Sequence, residues 1–132
     1  MNLHELRIGN LVKIHGHKGL SKVNTVGIAT QSNYVRVNYI DEENNDRISN
    51  GYADEIVRPI PLTEEILLKV GFVQVENYQK GVLGLNGVRM ILFAVNWTWN
   101  DFSRSKEINS LHQLQNLYFA LTGSELDTSK LL

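Results

Sequence analysis

The chain has two prolines, and both fall in one tripeptide, Pro59-Ile60-Pro61. Proline brings no N–H to a sheet ladder and fixes its own φ, so no strand runs on through this point. The residues before it read as strands, and those after it open a helix. In "PLTEEILLKVGF", Thr63 is placed to cap the helix start, with Glu64 and Glu65 against the positive end of its dipole. Gly71 supplies the left-handed stop, and Phe72 is placed to fold back on the last turn. The sequence therefore predicts two parts of one compact unit, residues 1–62 and 63–132, linked by a helix of about two turns.

The first part alternates. In "NLVKIHGHKG", Val12 and Ile14 point one way and Lys13 and His15 the other, before a Gly-rich turn. "KVNTVGIAT" is a second strand, with Gly27 as a bulge or a point of close approach. "YVRVNYI" is a third, with Val35, Val37 and Tyr39 on one face. "DEENNDR" is a polar turn whose Asn and Asp residues tolerate left-handed backbone. Short closing strands follow around Asn50-Gly51. This pattern predicts an SH3-like small β-barrel or a curled antiparallel sheet.

The second part holds the strands of "FVQVENY" and "GVLGLNGVRMILFAVNWTW", the latter turning at Asn86-Gly87. "RMILFAV" is apolar enough for a central strand. Trp97 and Trp99 alternate onto one face. Ser110 and Gln113 fit a capping box, so a last helix starts near Leu111 and ends at Gly123. From Ile108 to Ser124 there is no charged residue. Leu111, Leu114, Leu117, Tyr118 and Leu121 form an apolar stripe. His112, Gln115, Asn116 and Phe119 lie beside it, and His112 and Gln115 are expected to be buried and hydrogen-bonded. A homo-oligomer contact is the other use for such a face. The fold class is α+β: a first β unit, a short helix, then a small antiparallel sheet packed by the C-terminal helix.

Three stretches, "LRIGNLV", "PIPLTEEILLKVGF" and "LHQLQNLYFALTGSEL", together resemble a family of small uncharacterised proteins of Bacteroides-type bacteria, their phages and mobile elements. The resemblance spans most of the chain and implies a mobile-element setting. That family has no established activity, so it assigns no functional residue.

Chemistry is sparse. There is no cysteine, which excludes disulfides and thiolate sites. The start lacks a signal-peptide layout, and no apolar run approaches the roughly 20 residues of a membrane span. The expectation is a cytoplasmic protein without a membrane partner. No serine sits in a nucleophile elbow, and "GVLGLNG" lacks the Walker lysine, so no catalytic residue is assigned. The acids Asp41, Glu42, Glu43, Asp46, Asp54 and Glu55 lack calcium-loop spacing and read as a solvated turn. His15 and His17, two apart, would share a strand face but lack a third ligand, so neither metal nor cofactor is expected.

Two binding readings remain. The leading one is a non-enzymatic adaptor that meets a protein partner through Trp97, Trp99 and Phe119, since large aromatics dominate interface hot spots. The alternative starts from charge. Residues 1–40 carry five basic side chains and one acid, whereas residues 41–65 carry eight acids and two arginines. Lys13, His15, His17, Lys18, Lys22 and Arg36 would then contact a nucleic-acid backbone, with Tyr34 or Tyr39 stacking a base.

Overall fold

The computed structural model describes residues 2–28, 33–49, 51–53, 56–76, 81–93, 96–101 and 104–132. It is α+β, with two antiparallel sheets and two α-helices. The chain divides into two compact units, Met1–Ile60 and Pro61–Leu132. The division falls inside the proline tripeptide.

In the first unit, β1 (Leu11–Ile14), β2 (Ser21–Ile28), β3 (Asn33–Ile40), β4 (Asp46–Ile48), β5 (Tyr52–Ala53) and β6 (Val57–Arg58) form one sheet. The order is β4-β3-β2-β1-β6, with β5 also on β3. Among the described residues β4 and β6 do not pair with each other, so the sheet is curled and open, not a closed barrel. Its inner face buries Val12, Ile14, Val23, Val35, Val37 and Val57 against Leu3 and Leu6 from an N-terminal 3-10 turn. Valine suits this role because its branched side chain packs well on a pleated surface.

β4 and β5 share the same edge of β3, and Ser49 joins them. Its N–H donates to the Val37 carbonyl and its hydroxyl accepts from the Val37 N–H, both at 3.0 Å. A side chain thus completes the ladder where the backbone breaks step. Asn50 lies outside the described residues, but Gly51 has φ +118°, as a left-handed turn residue requires. In "DEENNDR", Asn44 takes φ 63°, the tolerance expected of that turn. The register slip in β2 falls between Val23 and Thr25, so the bulge sits at Asn24, while Gly27 is a point of close approach, lying against the Tyr34 ring.

The second unit opens with α1 (Glu64–Lys69). Thr63 Oγ1 accepts from the Ile66 N–H at 3.2 Å, as a capping threonine should. Gly71 at φ 105° ends it, and the Phe72 N–H donates to the Leu67 carbonyl at 3.0 Å. Then β7 (Val73–Gln74), β8 (Val82–Leu85), β9 (Val88–Phe93), β10 (Asn96–Asp101) and β11 (Arg104–Glu107) form a meander in the order β11-β10-β9-β8-β7. Asn86 and Gly87 both have positive φ, the requirement of a tight type I′ hairpin turn. β9 is the central strand, as its composition indicates, though Leu92 is exposed.

The last helix is α2 (Leu111–Thr122), closed by Gly123 at φ 74°. His112 and Gln115 are 2% and 3% exposed, so this uncharged stretch is explained by burial on one side. The buried residues Leu111, Leu114, Gln115 and Tyr118 stand at i, i+3, i+4 and i+7, the spacing of one helical stripe. Leu121 falls off that stripe and is exposed. The expected capping box does not form, because Gln113 reaches past the cap residue Ser110 to Asn109. Gln113 Oε1 accepts from the Asn109 N–H at 3.0 Å, and the Ser110 hydroxyl turns to His112 Nδ1 at 3.1 Å instead of capping the helix. Tyr118 ties α2 to the sheet, its hydroxyl accepting from Asn86 Nδ2 at 2.7 Å.

Candidate nucleic-acid interface

Residues directly opposite each other in an antiparallel sheet share a face. In the first unit, Lys13 pairs with Arg58, Lys22 with Asn38, Thr25 with Arg36, and Gly27 with Tyr34. These pairs alternate with the buried valines, so they stand on the outer face of the sheet. Lys13, Lys22, Arg36 and Arg58 are all exposed. Four strands, β1, β2, β3 and β6, therefore bring four cations onto one face. The charge count hides Arg58, because it sits in the acidic segment. The signal for it is strand alternation in "IVRP", where Val57 faces the core and Arg58 must face away.

Asp41 and Arg47 form an ion pair at 2.8 Å, and Glu65 and Lys69 another at 3.2 Å. Neither engages Lys13, Lys22 or Arg36. The Arg36 guanidinium lies 5.9 Å from the Tyr34 ring centroid, near the outer limit of a cation–π contact. Asn24 and Asn38 bond side chain to side chain at 3.2 Å on the same face. Ile40 and Ile48 are exposed there too, and Asp46 stands opposite Ile40 toward the β4 edge.

The acidic turn is held to itself. Asp41 Oδ1 accepts from the Glu43 and Asn45 N–H groups, both at 2.9 Å, and Asp41 Oδ2 accepts from Arg47 Nε. The Arg47 hydrogen bond and then the Asn45 amide hold the Asp41 carboxyl below its ordinary value of 3.8. A depressed carboxylate pKa stabilises the folded turn above the ordinary range, and this is lost as pH falls through the depressed value. An NMR carboxyl titration should therefore place the Asp41 midpoint below 3.8, with the turn loosening in parallel. Arg47→Gln should raise that midpoint, and an unmoved one would show that Arg47 is not the cause. Asp54 and Glu55 lie outside the described residues.

The two histidines of the H-x-H pair part company. β1 ends at Ile14 and Gly16 turns the chain at φ 88°, so the two-residue period of a strand does not extend to His17. His15 stays exposed. His17 tucks inward, its ring centroid 4.3 Å from that of Tyr39 and 5.4 Å from that of Tyr52. The Tyr52 hydroxyl meets His17 Nε2 at 2.9 Å, and burial raises the Tyr52 pKa above its ordinary value. His17 is thus taken up by packing, and Tyr39 with it. His17 Nδ1 and the Ser21 hydroxyl are buried without hydrogen-bond partners. A cleft of about 640 Å³ lies between the Gly16–Gly19 turn, which includes Lys18, and the turn that carries Asp41 and Glu42. Carboxylates on that wall disfavour a phosphate. Among the described residues no group of three or more His, Asp or Glu is placed to hold a metal ion.

The aromatic candidates of the second unit are not equivalent. Trp97 is 4% exposed, Trp99 is half-buried, and Phe119 is 41% exposed. Trp97 and Trp99 do share a face of β10, opposite Leu92 and Met90 of β9. Among the described residues no helix is long and apolar enough to cross a membrane. The chain matches no protein-family model, and no curated protein or solved structure is significantly similar to it.

Proposed function

We propose that this chain is a non-enzymatic binding protein whose first sheet holds nucleic acid on its outer face. The observation that carries the reading is the set Lys13, Lys22, Arg36 and Arg58, all exposed on one face and drawn from four strands. Cations gathered on one face can meet backbone phosphates, a contact that positions a ligand without reading its sequence. The net charge of −1 limits long-range attraction, so the affinity is modest. The phage or mobile-element setting implied by the three resembling stretches accords with such a role.

The test is salt dependence. A labelled oligonucleotide should bind at low salt, and log K against log salt should fall with a slope of roughly −3, for about four neutralised phosphates. Changing Lys13, Lys22 and Arg36 together to glutamine should remove about two units of that slope. Absence of binding at low salt, or an unchanged slope in the triple variant, refutes the proposal.

A second reading is favoured by one observation. Phe119 and Leu121 are 41% and 47% exposed on a helix that carries no charge. With Trp99 they would meet a protein partner or a second copy of the chain. Trp97 offers that partner almost no surface.

A further inference from the structure

We infer that the ligand of the outer face is a single strand, and that Tyr34 is the platform on which one of its bases stacks. This rests on the nucleic-acid reading above and adds to it the state of the ligand and the residue that selects it. Tyr34 is the aromatic residue of the basic face. Its ring lies across Gly27, where any Cβ would collide with the ring carbons. On the other side, a Cβ at Gly51 would stand 3.6 Å from Tyr34 Cδ2. The ring therefore spans β3 from the β5 side to β2, laid along the sheet rather than standing off it. Gly27 makes this posture available, since any side chain there would occupy the place of the ring, whereas a Cβ at Gly51 would only touch it.

Tyr34 remains 36% exposed, and its surroundings fit a nucleotide. Arg36, two residues along the strand, is placed to meet a phosphate beside a stacked base. The amides of Asn24 and Asn38 lie on the same face for contact with base or sugar edges. A duplex keeps its bases stacked on one another and has no free π-face to give such a ring. A single strand does, and stacking of this kind tolerates any base.

The experiment compares a 12-mer of thymidylate with a hairpin duplex of equal charge, by fluorescence anisotropy at low salt, on the full chain. The single strand should bind at least about ten-fold tighter. Tyr34→Ala should cost about ten-fold in single-strand affinity, while Tyr34→Phe should retain it. Tyr34→Leu still covers Gly27 but has no π-face, so it should behave like the alanine variant. All three variants should keep the wild-type salt slope, because no cation is lost. Equal affinity for duplex and single strand, or an unaffected Tyr34→Leu, overturns the inference while leaving the basic-face reading in place. Failure of both oligonucleotides to bind overturns both.

Discussion

Replacing Trp97 with alanine should lower stability by about 3–5 kcal/mol, the usual cost of removing a large buried aromatic. The ring is 4% exposed and faces the same side of the sheet as Met90, which is fully buried. Its backbone is equally engaged, the Trp97 carbonyl accepting from the Ile108 N–H at 2.8 Å just before α2 begins. The cavity would therefore open between the central strands of the second sheet, where neighbours on both sides are hydrogen-bonded and collapse only partly. A calorimetric midpoint should fall by well over about 10 °C. Trp99→Ala, at a half-buried position, should cost less. If Trp97→Ala melted like the parent, the ring would be a surface group, and the pair Trp97 and Trp99 would return as a binding face.

Trp97 also marks where sequence reasoning stops. Alternation places both tryptophans on one face, and they are on one face. Alternation does not say whether that face meets the protein's own interior or a partner, because an interface core and a domain core have the same composition. The same limit applies at His17. A strand period puts it beside His15, but a glycine turn intervenes and the imidazole ends between two tyrosine rings. The open sheet, in place of a closed barrel, depends on whether the two edge strands find each other, which no local pattern encodes. Punctuation was far more legible. Thr63, Gly71, Asn86-Gly87 and Gly123 each carry a backbone constraint within their own few residues, and each sits where its chemistry requires. For the candidate interface, the basic segment was visible, but its gathering onto one face required the register of four strands. Arg58 joins that face through its pairing with Lys13.

The other large effect lies at Phe72, where a local signal and a tertiary contact coincide. Gly71 must take φ near +105° for the chain to leave α1, and the Gly71 N–H then donates to the Leu68 carbonyl at 3.2 Å. The next N–H, of Phe72, reaches the Leu67 carbonyl, which closes the turn and aims the phenyl ring inward. It is completely buried and stands among the largest fully buried side chains of the described residues, together with Leu67 on the helix itself. Phe72→Ala keeps both hydrogen bonds, since they use backbone alone, yet should cost about 3–5 kcal/mol through the cavity. Gly71→Ala does the reverse. It leaves the ring in place but forces a Cβ into left-handed backbone, at roughly 1–2 kcal/mol. Chemical denaturation of the two variants separates the contributions. If the ring dominates, Phe72→Ala is the more damaging change; the opposite ranking would mean that the left-handed stop, and not the packing it delivers, holds α1 in place.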